Sequence, residues 1–370
     1  MTISHLPDKS TIGQPSRLIS LEAAATDLPP LPEPGLVHGF GLNENPYPVS
    51  PEVVTAVLEA TMGGNRYPDP AHYDLVAALT AILPVDPEQL SVGPGLVAIC
   101  RALVQAVAGV GDEVMFPWPS FDDYLIDAIL HDTSPVSVPL HGNHIDLDAM
   151  FGRITPRTRL IFLASPNNPT GTTVADADLE RFLAALPAGV VVALDEAYAE
   201  FATAPDRADG LRLSRVHSNL VVLRTFSKAY GLAGFRVGYA VSEPGLASRM
   251  NQVLAPFGVS RPAQAAAVAA LRHQEVTDVR VRELIAERDG LTAALRMSGW
   301  RLPDSQGNFL WLPVRDRAVE LAAQLAADEI AVRPFPGHGV RITVGLRSDS
   351  KLLLAALAKA RRAQLSLRYA

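Results

Sequence analysis

The chain has 370 residues, of which 48% are hydrophobic and 19% are charged, and its formal net charge is −7. This length is typical of one large domain or two coupled domains. The negative charge argues against nucleic-acid binding, which usually needs a basic surface. The single cysteine, Cys100, excludes a disulfide framework and a cysteine-based zinc cluster, and it is typical of a reducing compartment.

The N-terminal segment has no apolar run typical of a secretory signal, and no run of about 18 apolar residues could span a membrane. We therefore predict a cytoplasmic protein without a membrane or nucleic-acid partner. Residues 1–35 are rich in proline, serine and threonine, and they predict an extended arm with little secondary structure of its own.

Two helices are predicted in the first third of the chain. Ser50 followed by Pro51 is a typical helix start, and apolar residues then recur at helical spacing until Gly63. A second, strongly apolar helix is predicted after Gly95, through about Ala108. Free backbone N–H groups at the start of such a helix favour binding of an anion.

The middle third alternates apolar strands with helices. Continuous apolar runs predict buried strands over residues 160–164, 190–194 and 220–223, and an amphipathic helix is predicted over 176–186. This alternation indicates the α/β class, with a parallel sheet covered by helices on both faces.

The last third is predicted to be mostly helical. Strands are predicted over Phe309–Leu312 and residues 341–344, and a closing helix over residues 351–365. A shift in composition near residues 256–262 suggests a domain boundary there.

Polar motifs follow the three central strands at their carboxyl ends, where ligands bind in parallel sheets. They are SPNNPTG at 165–171, DEAY at 195–198 and TFSK at 225–228. Asp195 is suited either to cap a helix or to keep a bound cation or protonated ring nitrogen charged. Thr and Ser hydroxyls with Arg236 are typical of phosphate binding, and Lys228 is either a surface lysine or an amine that attacks a carbonyl.

Several other kinds of site are not predicted. The sequence has no GxSxG, HExxH or GKS/GKT motif, so serine hydrolase, zinc protease and P-loop chemistry are unsupported. His141 and His144 lie in a Gly/Asn turn without a third ligand nearby, and we expect no metal site.

The order of the three strand-end motifs resembles that of the pyridoxal 5'-phosphate-dependent aminotransferases of fold type I, in particular the group that acts on histidinol phosphate or aromatic amino acids. The resemblance extends over residues 43–361. It implies a three-layer α/β fold, in which a large domain has a mostly parallel seven-stranded sheet and a smaller α+β domain is built from the N-terminal arm and the C-terminal third. The implied divisions are the arm at 1–42, the large cofactor-binding domain at 43–258 and the small domain at 259–370.

The resemblance also implies roles for individual residues. Lys228 would bond covalently to the cofactor, Asp195 would pair with its ring nitrogen, and Tyr198 would hydrogen-bond its 3-oxygen. The other implied cofactor contacts are Tyr67, Gly95, Leu96, Val97, Phe121, Asn168, Thr225, Ser227 and Arg236. The implied substrate contacts are Asn45, Arg333 and Arg341. The predicted contact of Tyr67 is with the cofactor phosphate of a neighbouring subunit, which implies a homodimer with shared active sites.

The implied reaction moves the amino group of an aromatic amino acid or histidinol phosphate to a 2-oxo acid such as 2-oxoglutarate, with ping-pong kinetics. A decarboxylase or oxidase with the same cofactor, and a cofactor-binding regulator, are alternatives. Arg341 favours transamination, because a carboxylate held in the ring plane leaves the α-C–H bond free to break. A regulator would need a DNA-binding appendage, and residues 1–42 contain no basic helix.

The donor stays open among phenylalanine, tyrosine, histidinol phosphate and a specialised amino acid. Enzymes of the histidinol-phosphate group often carry a tyrosine in the arm, whereas no tyrosine precedes Tyr47 here. Leu96 also replaces the small or polar residue that is usual in the glycine-rich turn. Arg333 matches a position that can contact a substrate phosphate, but a structural arginine would fit the sequence nearly as well.

Overall fold

A computed structural model describes residues 38–367. The extended arm predicted over residues 1–35 lies outside the described residues. The helices are α1 (Pro51–Thr61), α2 (Tyr73–Ile82), α3 (Leu96–Val107), α4 (Asp123–Leu130), α5 (Leu147–Phe151), α6 (Asp176–Ala185), α7 (Gly210–Ser214), α8 (Pro244–Val253), α9 (Arg261–Arg272), α10 (Gln274–Met297), α11 (Ala318–Ala326) and α12 (Arg347–Leu367). Within the described range, no helix is both long enough and apolar enough to cross a membrane.

The strands alternate with these helices along most of the chain. They are β1 (His38–Gly39), β2 (Leu90–Gly93), β3 (Glu113–Trp118), β4 (Ser134–Pro139), β5 (Thr158–Ala164), β6 (Val191–Asp195), β7 (Leu220–Thr225), β8 (Gly238–Val241), β9 (Phe309–Leu312), β10 (Ile330–Ala331), β11 (Arg333–Phe335) and β12 (Gly339–Thr343). Short 3₁₀ helices span Pro87–Gln89, Ala199–Phe201, Ala233–Phe235 and Arg315–Arg317.

The predicted helices are confirmed with small shifts at their ends. At the start of α1, the Ser50 hydroxyl accepts a hydrogen bond from the backbone N–H of Val53. This bond satisfies one of the N–H groups that a helix leaves free in its first turn. The helix predicted after Gly95 is α3, and the closing helix extends four residues further toward the N-terminus than the apolar pattern predicts.

The predicted strands are also confirmed, and β5 and β7 are each longer than their apolar runs. The extra residues, Thr158 and Arg159 in β5 and Arg224 and Thr225 in β7, are polar or charged. These residues continue the strands because backbone groups form the hydrogen bonds between strands, and every non-proline residue has these groups whatever its side chain. An apolar pattern therefore underestimates strand length at polar ends.

The central sheet has seven strands in the order β2-β8-β7-β6-β5-β3-β4. Strand β8 pairs antiparallel with both of its neighbours, and the pairs among the remaining strands are parallel. Together with the helices on both faces, this arrangement confirms the implied fold class, an α/β protein with a mostly parallel seven-stranded sheet.

Each face of the central sheet contributes to its own hydrophobic core. Successive residues of a strand point to opposite faces, so Leu160 and Phe162 lie in one core and Ile161 and Leu163 in the other. The first core also contains Leu103 of α3, and the second contains residues of α2, α6 and α9. Burial on both faces explains why the strands have continuous apolar runs rather than alternating ones.

The C-terminal third forms a second, smaller sheet of three antiparallel strands in the order β11-β12-β9. Strand β1 pairs in parallel with β10, so the first described residues join this part of the chain. Helix α9 follows the predicted boundary at residue 258, yet its buried alanines belong to the core of the central sheet. The division into residues 1–42, 43–258 and 259–370 stays a prediction.

Candidate active site

A cavity of about 370 Å³ lies at the carboxyl ends of the central strands β5, β6 and β7. Strand register places Ala164 beside Asp195 and Asp195 beside Leu223, so the three polar motifs that follow these strands meet at one edge. The sequence-predicted residues that line this cavity are Leu96, Val97, Phe121, Asn168, Asp195, Tyr198, Thr225, Ser227, Lys228, Arg236, Arg333 and Arg341. Two larger grooves elsewhere on the described surface contain none of the predicted site residues.

The Lys228 ammonium group lies beneath the chain segment that follows β1. Its Nζ atom donates to the carbonyl oxygens of Leu42, at 3.1 Å, and Asn43, at 3.2 Å. Burial, together with the nearby positive charges of Arg341 and Arg236, lowers the pKa of Lys228 to about 7. A large fraction of this amine is therefore neutral near pH 7, and the neutral amine is the nucleophilic form.

Asp195 is only 5% exposed, and two hydrogen bonds hold its carboxylate. It accepts a hydrogen bond from the Tyr124 hydroxyl at 2.6 Å and another from the backbone N–H of Ala197 at 2.9 Å. Burial raises the pKa of Asp195 to about 6, against the opposite effect of these two hydrogen bonds. At neutral pH the group is mainly a carboxylate and is suited to pair with a cation.

Tyr124 was not predicted as a site residue, although its hydroxyl makes the shortest contact to Asp195. Its ring stacks on Phe162 of β5, with ring centroids 4.4 Å apart, and touches the edge of Phe121. Tyr124 and Phe121 belong to one sequence segment, 116–124. The predicted cofactor contact Phe121 indicated that this segment lies near the site. Nothing in the segment indicates which of its aromatic residues reaches the Asp195 carboxylate.

Asn43 lies two residues before the predicted substrate contact Asn45, and its own hydrogen-bond partners in the site were not predicted. Its side-chain amide donates to the Tyr198 hydroxyl at 3.0 Å, and its side-chain oxygen Oδ1 accepts from the Thr343 hydroxyl at 3.1 Å. Asn308 donates to the Asn43 backbone carbonyl. Asn43 thus connects the end of β6 with the small sheet across the cavity.

The segment 165–171 is a buried turn that presents Asn168 to the cavity. Asn167 stabilises the turn from inside, because its amide donates to the Thr170 hydroxyl at 2.9 Å. Gly171 has a φ of +77°, and a Cβ there would lie 2.3 Å from the Ser305 hydroxyl. The turn therefore needs glycine both for its backbone conformation and for its close contact with Ser305.

Hydrogen-bond donors suited to an anion gather at the start of α3. Arg236 donates to the Ser227 hydroxyl at 3.3 Å, and Thr225 donates to the same oxygen at 3.1 Å. The guanidinium also packs against Gly95, where a Cβ would lie 2.4 Å from Arg236 Nη2. Gly95 itself does not line the cavity, but its missing side chain lets Arg236 approach the positive end of the helix dipole.

Two buried arginines enter the cavity from the small sheet. The guanidinium of Arg341 donates to Asn168 Oδ1 and to the Gly41 carbonyl, and its Nε atom is buried without a partner. Arg333 donates to Asp122 Oδ2 at 2.7 Å. Burial raises the pKa of Asp122 to about 6, although the positive charge of Arg333 acts to lower it. Because this pKa is below 7, the carboxyl is mainly ionised at neutral pH. Asp122 was not among the predicted site residues.

Asn45 and Tyr67 lie outside the cavity. The Asn45 amide donates to the carbonyl oxygens of Lys228 and Ala229, each at 3.1 Å, so it contacts the backbone around the lysine. Tyr67 is 79% exposed and stacks on Phe257 with ring centroids 4.8 Å apart. Its predicted contact needs a second subunit and stays a prediction. No metal site is indicated, since the described residues contain no group of three or more potential metal ligands.

The family described as aminotransferase class I and II matches residues 37–357. The chain belongs to this family. It is 45% identical to an aromatic amino acid aminotransferase of Streptomyces avermitilis over 320 residues, which are 86% of this chain and 89% of that protein. It is 43% identical to an enzyme of the same name from Mycolicibacterium smegmatis over 339 residues, which are 91% of this chain and 94% of that protein.

A solved structure adds a comparison with a bound cofactor. The histidinol-phosphate aminotransferase of Sinorhizobium meliloti in complex with pyridoxal-5'-phosphate superposes with a TM-score of 0.83 at 29% identity, and the match covers 89% of this chain and 92% of that one. The resemblance stated from the sequence, to the pyridoxal phosphate-dependent aminotransferases of fold type I, is thereby confirmed. The protein is an aminotransferase.

The side chains around the cavity fit pyridoxal phosphate chemically. Arg236 with the hydroxyls of Thr225 and Ser227 matches a phosphate, the buried carboxylate of Asp195 matches a protonated ring nitrogen, and the amine of Lys228 matches an aldehyde. The space left by Gly95 brings Arg236 against the first turn of α3, where an anion is favoured.

Proposed function

We propose that this aminotransferase takes its amino group from aromatic amino acids and passes it to a 2-oxo acid such as 2-oxoglutarate. The observation that carries the proposal is that one cavity contains the amine of Lys228, the carboxylate of Asp195 and the guanidinium of Arg341. The aromatic donor is supported by the names of the relatives at 43% and 45% identity. The apolar side chains of Leu42, Phe121 and Phe335 in the cavity wall suit an aromatic ring.

In this proposal Lys228 moves the proton of the reaction. When bound, pyridoxal phosphate supplies an electron sink that stabilises negative charge at the substrate's α-carbon. The neutral amine of Lys228, with its pKa near 7, removes the proton from that carbon and is suited to return a proton later. Its neutral state at working pH depends on burial and on the positive charges of Arg341 and Arg236.

Asp195 and Tyr198 would set the charge state of the cofactor ring. Asp195 keeps the ring nitrogen protonated, and Tyr124 orients the carboxylate through its 2.6 Å hydrogen bond. Tyr198 and Asn168 would donate to the ring's 3-oxygen, and Asn43 holds the Tyr198 hydroxyl in place. Each of these groups is buried, so water competes little for the contacts.

Arg341 would bind the α-carboxylate of the amino acid. Its planar guanidinium forms two parallel hydrogen bonds to a carboxylate, which a lysine cannot reproduce. Its present partners, the Asn168 side-chain oxygen and the Gly41 carbonyl, are neutral, so a charged carboxylate is a stronger partner. A carboxylate fixed in this way leaves the α-C–H bond to react, as transamination requires.

We also propose that the active enzyme is a homodimer whose subunits share their active sites. Apolar side chains are exposed near the end of α1, in the loop after it and at the start of α2: Leu58, Met62, Tyr67 and Tyr73. Met62 is 87% exposed, and Phe257 adds its ring beside Tyr67. Exposed apolar side chains grouped in one stretch of the chain suit an interface with another copy.

The cytoplasmic location predicted from the sequence stays a prediction.

The covalent attachment is tested by replacing Lys228 with alanine. We expect Lys228→Ala to lose the visible absorbance of the covalently bound cofactor and to lower transamination by about 10²–10⁴-fold, the usual contribution of a positioned acid–base group. Lys351→Ala, which removes an exposed lysine outside the cavity, is the control and should behave like the unchanged protein. Retention of the absorbance in Lys228→Ala would refute the assignment.

The donor is tested by adding amino acids one at a time to the loaded protein and recording the loss of the cofactor's visible absorbance. Phenylalanine, tyrosine and tryptophan should react, whereas aspartate and alanine should react more slowly. If none of the aromatic amino acids changes the spectrum while another amine does, the aromatic proposal is wrong even though the family assignment stands.

A further inference from the structure

The two arginines of the cavity are direct neighbours across two strands. In the antiparallel pair β11–β12, Arg333 lies opposite Arg341. Residues directly opposite in such a pair lie on the same face with Cβ atoms about 4.5–5.5 Å apart. Both side chains line the cavity and both residues are buried, with Arg333 6% and Arg341 7% exposed. Without a negative side chain nearby, Arg333 and Arg341 would together present two positive charges to a substrate anion in the cavity.

Asp122 compensates one of these charges. Its Oδ2 accepts from Arg333 Nη2 at 2.7 Å, with the arginine side chain 7% and the aspartate side chain 20% exposed. Asp122 is the residue just before α4, far in sequence from the small sheet, and it also lines the cavity. The three side chains together carry one net positive charge at neutral pH.

The charge of Asp122 interacts with that of Arg341 as well as with that of its hydrogen-bond partner Arg333. The charge of Arg341, like that of Arg333, favours the ionised form of Asp122, and Asp122 in turn favours the charged form of Arg341. Because the groups are buried, solvent screens these interactions much less than it screens surface pairs. A change at Asp122 therefore alters the charge that a substrate anion meets at Arg341.

We propose that Asp122 is a specificity-determining residue that matches the arginine pair to a carboxylate with one negative charge and disfavours a phosphate monoester. This proposal rests on the proposed function, in which Arg341 binds the anionic end of the donor. A phosphate monoester carries about −1.5 to −2 charge at pH 7. It would complement two uncompensated arginines, whereas a carboxylate complements the arginine pair together with Asp122. The donor is then an amino acid and not an amino alcohol phosphate.

The test compares two inert ligands that share an aromatic ring and differ in the anion. They are 3-phenylpropanoate and 2-phenylethyl phosphate, each titrated calorimetrically into the cofactor-loaded protein. The unchanged protein should bind the carboxylate more tightly. Asp122→Asn removes the charge but keeps an oxygen for Arg333, and we expect it to shift the ratio of the two dissociation constants toward the phosphate ester by at least about tenfold.

Two further variants separate the ion pair from a general change in charge. Asp123→Asn removes a neighbouring carboxylate of the same cavity that has no hydrogen bond to Arg333, and it should change the ratio much less. In an Arg333→Gln background, Asp122→Asn removes the uncompensated negative charge beside Arg341 and should return the ratio toward the phosphate ester. An equal shift in Asp123→Asn, or no return in the double variant, would show that the charge of Asp122 does not set the preference.

The proposal stays testable if Asp122→Asn does not fold, which melting and cofactor absorbance would reveal. Arg333→Gln alone leaves the Asp122 charge uncompensated, so the phosphate ester should lose more affinity than the carboxylate, and equal losses would overturn the proposal. Because neither ligand has an amino group, the result does not depend on catalysis. Failure of every aromatic amino acid to react would refute the proposed donor without changing these binding ratios.

Discussion

At the scale of single residues, burial displaces the pKa values of Lys228 and Asp195 in opposite directions. The pKa of Lys228 falls to about 7 and that of Asp195 rises to about 6, because a buried environment disfavours the charged form of either group. Both values lie near neutral pH, where small changes in the surroundings alter the protonation state. Acid–base catalysis is most effective with groups in this range.

The lowered pKa of Lys228 predicts how cofactor capture depends on pH. The rate at which cofactor-free protein binds pyridoxal phosphate covalently should rise with pH and level off above about 7, rather than near the usual 10.5. Stopped-flow absorbance at several pH values measures this rate. A midpoint close to that of free lysine would contradict the assignment.

The same shift has a consequence for stability. Between pH about 7 and 10.5 the unfolded chain binds a proton at Lys228 that the folded chain does not. The free energy of unfolding of the cofactor-free protein should therefore gain a contribution that increases with pH over this window. Lys228→Met, which cannot bind a proton there, is the control that should lack this contribution.

The hydrogen bond from Tyr124 predicts an effect on the acid side of the activity profile. Tyr124→Phe removes a donor that favours the ionised form of Asp195, so the pKa of Asp195 rises further. We expect kcat to fall about 10- to 100-fold, as for loss of a hydrogen bond to a charged group, and the acidic limb of the pH profile to move to higher pH. Tyr47→Phe is a matched control, because it removes a 2.6 Å hydrogen bond to Glu283 outside the cavity. An unchanged acidic limb in Tyr124→Phe would show that Tyr124 does not tune Asp195.

At the scale of elements, the site depends on where strands end and helices begin. The ends of β5, β6 and β7 supply Asn168, Asp195 and Thr225 with the residues that follow them, and the start of α3 supplies the anion-binding end. The small sheet adds Arg333 and Arg341 from the opposite side. No single element supplies all of these groups, so the site exists only when the two sheets are packed together.

Gly95 provides a test of how closely these elements must approach. Gly95→Ala places a Cβ 2.4 Å from Arg236 Nη2, at a φ of +84°, so the guanidinium must move away from the start of α3. We expect the dissociation constant of pyridoxal phosphate to rise by about tenfold or more, as for loss of a charged hydrogen-bonding partner. Equilibrium dialysis of the cofactor measures the change.

Gly111→Ala is the matched control for this substitution. Its φ of +81° is also in the region that side chains rarely adopt, but a Cβ there would have no atom within 4 Å. It should therefore lower stability by about 1–3 kcal/mol without weakening cofactor binding. Equal weakening in both variants would mean that backbone strain, and not the displaced arginine, is the cause.

At the scale of the whole molecule, segments far apart in the chain close the cavity. The residues after β1 cover Lys228, β1 itself pairs with β10, and Gln306 accepts hydrogen bonds from the backbone of Thr203 and Ala204 at 2.6 and 2.8 Å. The buried Arg288 of α10 donates to the Phe201 carbonyl. The contacts of Gln306 and Arg288 join the C-terminal third to the segment that follows β6.

The proposed dimer predicts that subunits can complement one another. Lys228→Ala and Tyr67→Ala should each lower activity, and a mixed dimer should contain one site with both Lys228 and Tyr67 intact. Mixing the two variants under conditions that allow exchange should therefore restore part of the activity, which steady-state assays and sizing by light scattering can follow. Mixing that restores nothing, while exchange is shown to occur, would exclude a shared site.

Much of this arrangement was predictable from the sequence. The apolar runs around Phe162, Ala193 and Val222 predicted the parallel strands, because a strand that is buried on both faces must be apolar throughout. The chemistry at the strand ends was predictable because Asp195 and Lys228 follow those runs directly. Such signals act within a few residues of the chain and can be read without its tertiary structure.

Only the tertiary structure decided which side chains complete the site. The contacts of Tyr124 with Asp195, Asn43 with Tyr198 and Asp122 with Arg333 join residues that are 71, 155 and 211 positions apart. No local pattern reveals that Tyr124, Asn43 and Asp122 are the partners, because tertiary packing sets the distance between residues so far apart in the chain. The sequence by itself thus determined the central sheet and the chemistry at its edge, whereas packing determined the protonation of that chemistry and the charge presented to the substrate.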